Sequence, residues 1–349
     1  MNNHDYFNNR ALRADLLLLL TAGIWGFGFV AQRSGMEHIG PFAFNGIRFI
    51  LGSISLLPFI LIRRKRSVAA DAAASAEAPV KFLLKPVLAA GSCLFVAVIL
   101  QQLGILFTTA GNAGFITGLY VVLTPFFGIL LGRKTGFATW IGSVLTFIGL
   151  YFISVAGRPS INPGDIIIFI SSFFWAAHVL LIDRLMQGKR EISIDPLELS
   201  SGQFAVCGIF SLLGAFLAEP HVVTVVERID PSLLSAGLFG WLAFPELISS
   251  VNAGIVSFPV QALIPILYGG LCSVGIAYTL QVVAQRDAPP AHAVIILCFE
   301  GCFAVLGGML LLSEKAGAWT LLGCAFMLGG MLATQWEVVK AGNKQPSQN

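Results

Sequence analysis

Charged residues are scarce in this sequence of 349 residues: Asp, Glu, Lys and Arg together make up 11% of it, while 56% is hydrophobic. A soluble globular domain carries roughly 25% charged residues, because its surface has to be hydrated. With a mean hydropathy of +0.83, the composition excludes a soluble enzyme, a nucleic-acid-binding protein and a disordered chain. The solvent of most of this chain must therefore be lipid.

The sequence also lacks the short motifs of membrane enzymes and of ATP-driven pumps. It has no His-Glu-x-x-His, no Gly-x-Ser-x-Gly and no Walker motif. All six cysteines lie in apolar runs, and Cys298 and Cys302 share a helix face without a His neighbour, which makes a poor metal site. We expect no metal, no cofactor and no enzymatic activity. An intramembrane enzyme, a channel and a non-transporting membrane sensor are the alternatives to a transporter.

Long apolar runs separated by short polar breaks are what the sequence has in abundance. A membrane-spanning helix needs about 20 apolar residues, and the runs have that length. They predict an all-α polytopic membrane protein, with a first span that is retained because no small-residue cleavage site follows it. The ten predicted helices cover residues 14–32, 41–62, 86–106, 112–132, 137–156, 164–184, 197–218, 259–283, 289–312 and 317–336.

The positive charges predict the orientation of these helices. With the N-terminus in the cytoplasm, sixteen Lys and Arg residues fall in inside segments and four in outside segments, as the positive-inside rule requires. This arrangement predicts a multi-pass inner-membrane protein with both termini cytoplasmic. Residues 63–85 are expected to form a flexible inner linker. Residues 219–258 are expected outside, with 231–250 as an interfacial element rather than an eleventh span.

A weak internal repeat divides the chain into two halves, residues 14–156 and 164–336. Trp25 and Trp175 occupy matching places in the first and sixth helices, and the stretch 112–125 can be laid over 288–301 without a gap. Each half holds five helices, so the second half enters the membrane from the opposite side. Two inverted five-helix repeats are typical of secondary transporters, whose binding site lies near the midplane between the halves.

The order and spacing of several short stretches resemble the drug/metabolite transporter superfamily, and specifically its EamA-type permeases. The matching stretches are Ile24–Phe29, Ala110–Pro125, Phe299–Gly301 and Leu312–Lys315. The family usually has Glu-Pro where this chain has Glu300-Gly301. The resemblance implies ten helices as two EamA repeats and a permease function.

Polar residues inside a span are costly and usually face a cavity, so they are the candidates for a transport path. Glu300 is a carboxylate well inside the ninth helix, and it could exchange protons, bind a substrate ammonium or only bond to a neighbouring helix. Arg48 could bind an anion or extend outward to the interface. His178 could be functional or structural. The remaining candidates are neutral hydrogen-bonding and aromatic residues: Trp25, Gln101, Tyr120, Trp175, Gln203, Tyr278 and Gln281.

Together these features predict a secondary transporter that moves a small metabolite or drug across the inner membrane, by proton-coupled efflux. Its expected partners are a small-molecule substrate and the lipid bilayer. No nucleic acid is expected, and a homodimer is left open as an alternative to a monomer.

The orientation can be tested with a Ser235→Cys variant in a background without the native cysteines. A membrane-impermeant thiol reagent should label this cysteine in intact spheroplasts, because residues 219–258 are expected outside. Labelling that requires permeabilisation would reverse the predicted topology.

Overall fold

The computed structural model describes residues 3–70, 80–108, 110–133, 135–154, 163–187, 194–217, 260–311 and 317–342. Every regular element within these ranges is helical. The elements are α1 (Asn3–Gly35), α2 (Pro41–Ala70), α3 (Val80–Ile105), α4 (Ala110–Gly118), α5 (Tyr120–Leu130), α6 (Phe137–Ser154), α7 (Pro163–Gln187), α8 (Pro196–Leu217), α9 (Val260–Leu267), a π-helix (Tyr268–Tyr278), α10 (Thr279–Ala284), α11 (Pro290–Leu297), α12 (Glu300–Leu311) and α13 (Ala318–Gly342).

These elements form ten apolar segments in the described part of the chain. α4 with α5 makes the fourth segment, α9 with the π-helix and α10 makes the eighth, and α11 with α12 makes the ninth. Eight segments are long and apolar enough to cross a membrane, and α6 and α13 carry shorter apolar stretches, Phe137–Phe152 and Ala318–Ala333. The prediction of an all-α polytopic membrane protein is confirmed.

The expected linker at 63–85 is wrong at both of its ends. α2 continues to Ala70 and α3 already begins at Val80, because Arg and Ala are strong helix formers. Arg63 and Arg64 are also held by acidic residues at the start of α8, with Arg63 Nη1 lying 2.7 Å from Asp195 Oδ2. Residues 71–79 and the whole predicted interfacial element at 231–250 lie outside the described residues.

The helix pairs follow the same pattern in both halves. α6 packs on α13, and α2 packs on α8. The pair α3 with α7 has its counterpart in α1 with the π-helix, and the packing of α4 and α5 on α7 has its counterpart in that of α11 and α12 on α1. Exchanging the halves leaves this list of pairs unchanged, which supports two repeats related by a two-fold axis.

Glycines allow α6 and α13 to approach closely. A Cβ at Gly330 would lie 2.7 Å from the Gly142 carbonyl oxygen, and a Cβ at Gly149 would meet the carbonyl of Gly323. The two contacts are reciprocal, since each helix presents a glycine to a backbone carbonyl of the other. Small residues at such contacts are the main means by which helices associate in lipid.

Gly330→Ala should destabilise the protein, whereas Gly329→Ala should not. A Cβ at Gly330 forces α6 and α13 apart, at about 1–3 kcal/mol for overpacking, while a Cβ at Gly329 meets no atom within 4 Å. The two changes have the same effect on helix propensity, so their difference isolates the interface. Unfolding in mixed micelles measures it, and equal stability of the two variants would contradict the close approach.

Candidate functional site

Two interrupted helices meet at the centre of the bundle. The backbone at Leu119, between α4 and α5, has φ −59° and ψ −18°, and Cys298, after α11, has φ −58° and ψ −16°. Both are close to 3₁₀ values, so each helix is tightened locally. Cys298 Sγ donates to the Gly118 carbonyl oxygen at 3.4 Å, which joins the two interruptions. Irregular backbone at this depth is tolerated because it is buried in protein.

The interruptions place Tyr120 and Glu300 in equivalent positions, each as the first residue of the second helical piece. They also correct the alignment of the repeat. The first pieces begin at Ala110 and Pro290, whereas the ungapped alignment sets Ala110 opposite Arg286. The sequence alignment is thus displaced by about one helical turn.

A central cavity of about 30 Å³ lies beside these two residues. Eight of the ten candidate residues from the sequence line it: Trp25, Arg48, Gln101, Tyr120, Trp175, Tyr278, Gln281 and Glu300. A water molecule needs at least ~10–15 Å³ of such space, so the cavity has room for about two waters. Pockets that hold small ligands usually measure ~300–1,000 Å³. The cavity is therefore too small for such a ligand, which can be held only after the lining helices have moved apart.

His178 and Gln203 do not line the cavity, although the sequence placed them among the candidates. His178 Nε2 and Gln203 Oε1 are 2.9 Å apart, and the His178 ring meets Trp175 edge-on with 6.2 Å between ring centroids. The pair therefore lies behind Trp175. The contacts of His178 and Gln203 are suited to holding the indole ring of Trp175 in position.

Three aromatic rings form one wall of the cavity. The centroid of Trp25 lies 4.6 Å from that of Tyr278 and 6.4 Å from that of Trp175, and Trp175 stacks on Tyr278 with an interplanar angle of 17°. Trp25 Nε1 donates to the Ser273 carbonyl oxygen in the π-helix at 3.1 Å. The two tryptophans that match in the repeat thus meet across the interface between the halves.

Glu300 is buried without a cation. Its carboxyl group accepts one long hydrogen bond, from the Tyr120 hydroxyl at 3.5 Å, and among the described residues no Lys, Arg or His nitrogen lies within 4 Å of it. An ionised carboxylate at the bilayer centre costs at least ~2.5 kcal/mol even on lenient insertion scales. Nothing within the described part of the fold offsets this cost by an ion pair.

Arg48 is also buried, with 2% of its surface exposed. Its Nε donates to Asn45 Oδ1 at 2.8 Å, and its guanidinium carbon lies 5.5 Å from the ring centroid of Phe44 and 5.1 Å from that of Phe49. No carboxylate of the described residues forms an ion pair with it. The side chain faces the cavity, so the alternative that it extends to the outer interface is wrong.

Amide side chains complete the polar lining. Gln281 is 1% exposed, and neither Oε1 nor Nε2 has a hydrogen-bond partner among the described residues. Gln101 Nε2 donates to Thr117 Oγ1 at 2.9 Å. The side-chain amide of Gln281 is thus buried at the cavity with neither its donor nor its acceptor bonded to a described residue.

Six lining residues were not predicted: Phe29, Gln32, Thr117, Val179, Ser273 and Leu297. Phe29 and Gln32 lie one and two helical turns after Trp25, so the face of that helix could have identified them. The sequence gave no such indication for Ser273, because its position in the cavity wall depends on the π-helix. Among the described residues no cluster of His, Cys, Asp and Glu could hold a metal ion.

The fold and this cavity define a polytopic membrane protein with a small central cavity, and comparison with known proteins places it in a family. Residues 12–155 and 226–335 match the EamA-like transporter family. The chain therefore belongs to the EamA-like transporter family.

Several similar proteins are named as transporters. An uncharacterized transporter of Archaeoglobus fulgidus is 32% identical over 174 residues, and the chain spans half the length of that relative. The uncharacterized inner membrane transporter YedA of Escherichia coli K12 is 26% identical over 61% of this chain and 74% of its own. A solved crystal structure has a TM-score of 0.64 at 15% identity, covering 92% of this chain and 98% of its own. This likeness concerns the fold.

A second buried carboxylate, Asp183, lies outside the cavity near the end of α7. It is fully buried and forms an ion pair with Arg133, which follows α5. The positive-inside rule by itself accounts for basic residues at this end of the fourth helix. The ion pair gives a second reason for a basic residue at this position, since Arg133 neutralises the buried charge of Asp183.

Arg133→Gln should lower the free energy of unfolding by about 3–5 kcal/mol, because it leaves Asp183 buried and unpaired. Adding Asp183→Asn should recover most of the loss. Arg64→Gln is the matched control: it breaks an exposed pair with Glu198 and should cost only ~0–1 kcal/mol. Thermal unfolding in detergent measures all four proteins. An Arg133→Gln variant with the same melting temperature as the wild type would show that the ion pair does not contribute to stability.

Proposed function

We propose that this protein is a secondary transporter that moves a small metabolite across the inner membrane, as proton-coupled efflux. The observation that carries the proposal is Glu300, a buried carboxyl group without a cation in a central cavity at the junction of two interrupted helices. Membership of the EamA-like transporter family and the names of the relatives support the same class.

The cavity favours alternating access over a channel. About 30 Å³ is far below the size of a metabolite, so transport requires that the two halves move apart on one side and close on the other. The midplane position between repeats is the usual place for the site of such a transporter. The interrupted helices are the elements best suited to change shape, because their backbone is already irregular there.

The ion pairs support a state closed towards the cytoplasm. The four salt bridges among the described residues all lie at the ends assigned to the cytoplasm by the positive charges, and each joins the first half to the second. On the opposite side Arg33 donates to the carbonyls of Ile105 and Thr108, which belong to its own half, and a hydrogen bond from Thr108 Oγ1 to Asp165 Oδ1 at 2.9 Å joins the two halves there. Opening to the cytoplasm therefore has to separate charges.

Glu300 supplies a site for the coupled proton. A carboxyl group that lacks a fixed cation can be neutralised by a proton or by a positively charged substrate. When neither a proton nor a positively charged substrate is bound, the carboxylate of Glu300 remains a costly charge in the membrane. This gives each half of the transport cycle a reason to carry either a proton or the substrate.

Glu300→Gln should abolish transport driven by a pH gradient while substrate exchange without a gradient continues. Glutamine keeps the shape and one acceptor of glutamate but cannot release a proton. The substrate is first identified by metabolite profiling of cells with and without the protein. Its uptake into proteoliposomes is then measured for the wild type and the variant, with and without an imposed pH gradient.

Glu37→Gln is the matched control, since Glu37 is an exposed carboxylate at the outer end of α1. It should behave like the wild type. A loss of both activities in Glu300→Gln would mean that Glu300 binds substrate without carrying a proton. Wild-type rates in both assays would remove Glu300 from the transport path.

A further inference from the structure

We propose that Asp15 and His292 form a latch between the halves, the inner latch, which closes the cytoplasmic end of the bundle more firmly as the cytoplasm becomes more acidic. The inference rests on the proposed function, because it concerns the regulation of the same transport cycle. It depends on two contacts between the halves at equivalent places in the repeat, of which one contains an imidazole and the other a hydroxyl group.

Two aspartates occupy the same place in the two repeats. Asp15 lies in α1, ten residues before Trp25. Asp165 lies in α7, ten residues before Trp175. The two tryptophans match in the repeat and meet beside the cavity. Because the second half crosses the membrane in the opposite direction, the aspartates are expected at opposite ends of the bundle.

Each aspartate contacts the other half. Asp15 Oδ1 lies 2.8 Å from His292 Nε2 in the first turn of α11. Asp165 Oδ1 accepts a hydrogen bond at 2.9 Å from Thr108 Oγ1, which precedes α4. α1 packs on α11, and α7 packs on α4. Exchanging the halves exchanges these helix pairs, so the contact of Asp165 with Thr108, the outer contact, is the counterpart of the inner latch.

The inner latch can change its strength with pH. The side chains of His292 and Asp15 are only 6% and 13% exposed, so solvent screens their interaction weakly. A hydrogen bond between a protonated imidazole and a carboxylate is about twice as strong as one between neutral groups. Protonation of His292 therefore adds an attraction that exists only while the two side chains are in contact. By linkage, protons favour the closed end, and a rise in pH removes this part of the attraction.

The outer contact has no such dependence on the side of its donor. The hydroxyl group of Thr108 stays neutral in the physiological range, and the carbonyl of the same residue accepts a hydrogen bond from Arg33. The two ends of the bundle thus differ in one respect that the repeat would otherwise make equal. This difference assigns the response to pH to the inner latch and supplies a counterpart for comparison.

Other charged side chains lie at this end of the bundle, on or next to the elements that pack against α11. They are Arg10 and Arg13 on α1, Arg133 after α5, Asp183 and Arg184 on α7, and Arg286 and Asp287 before α11. α6 and the stretch Ala318–Ala333 of α13 contain no Asp, Glu, Lys, Arg or His. Arg133 and Asp183 pair with each other. Within this described set His292 is the histidine, the residue type whose charge ordinarily changes between pH 5 and 8.

The experiment measures how fast a cysteine in the cavity reacts with a reagent added from the cytoplasmic side. Val179 lines the cavity and is 2% exposed, so Val179→Cys reacts only when the cavity opens. The reporter is placed in full-length protein without the native cysteines. Inside-out membrane vesicles are treated with a charged, membrane-impermeant methanethiosulfonate at about pH 6 and about pH 8.

Each rate is divided by the rate of the same reporter in a His292→Gln protein at the same pH. Both proteins carry the same cysteine, so the ratio cancels the effect of pH on the thiol itself. Glutamine keeps a donor for Asp15 but does not titrate. The His292→Gln protein therefore serves as a latch of constant strength.

With otherwise wild-type sequence the ratio should rise about three- to tenfold between the acidic and the alkaline condition, because the charge-assisted contact is lost as His292 loses its proton. Asp15→Asn should abolish the rise, since protonation then creates no ion pair. Asp165→Asn changes the counterpart position and should keep the rise. His38→Gln, which removes a histidine that follows α1 at the opposite end, should keep it as well.

Size-exclusion profiles establish that each variant is folded, and if His292→Gln does not fold, Asp15→Asn takes its place as the reference. The inference is overturned if the ratio is the same at both pH values or if the reporter reacts at neither. It is also overturned if Asp15→Asn keeps the rise or if Asp165→Asn loses it.

Glu300→Gln separates this inference from the proposed function. The inner latch is distinct from the proposed proton site, so this variant should keep the rise although it is expected to lose pH-driven transport. Loss of the rise in Glu300→Gln would assign the response to the cavity carboxylate and overturn the latch. The labelling needs no substrate and no transport, so the latch can hold in a protein that is not proton-coupled, and proton coupling can hold without the latch.

Discussion

Lipid offers no hydrogen-bond partner, and this one constraint governs the whole molecule. Every backbone group inside the bilayer has to be satisfied within the protein, which is why the described chain is helical and why its outer face carries large apolar residues such as Leu20, Phe59 and Leu217. The same constraint makes each interruption or charge in the interior costly. Arg48 and Glu300 line one cavity, and the interruptions at Leu119 and Cys298 lie next to its lining residues Tyr120 and Leu297, so these four costs are concentrated in one region.

That concentration has a structural cause in the repeat. α4 with α5 and α11 with α12 are counterparts, and they cross near the centre, where Cys298 contacts the Gly118 carbonyl. The tryptophans of the first and sixth segments meet beside this crossing. A two-fold relation between halves therefore gathers matching residues into one site, but it does not make them alike. Arg48 and Gln203 each lie seven residues after the proline that begins their helix, Pro41 or Pro196. Arg48 lines the cavity, whereas Gln203 lies behind Trp175.

The helices were predictable because apolar length and charged ends report directly on the bilayer, and helix starts such as Pro41 agree with the structure. The cavity lining was partly predictable, because polar and aromatic residues within spans are rare enough to stand out, as Glu300 and Trp25 do. Three features could not be predicted from the sequence. The one-turn displacement of the repeat, the π-helix that presents Ser273 and the pairing of Asp183 with Arg133 all depend on contacts between distant segments, which hydropathy does not encode.

The distribution of charge between the cavity and the cytoplasmic end links binding to movement. Ion pairs between the halves hold together the end that the positive charges assign to the cytoplasm, whereas Arg48 and Glu300 in the cavity have no ion-pair partner among the described residues. In the transport cycle proposed above, a proton or a bound solute that neutralises Glu300 lowers the cost of the closed cavity, and an empty cavity leaves that cost in place. In the proposed transport cycle, occupation therefore favours closure around the solute, and the energy needed to separate the ion pairs between the halves sets how readily the empty site opens at that end. Binding in the cavity and gating by the ion pairs thus both depend on the few charged residues of this chain.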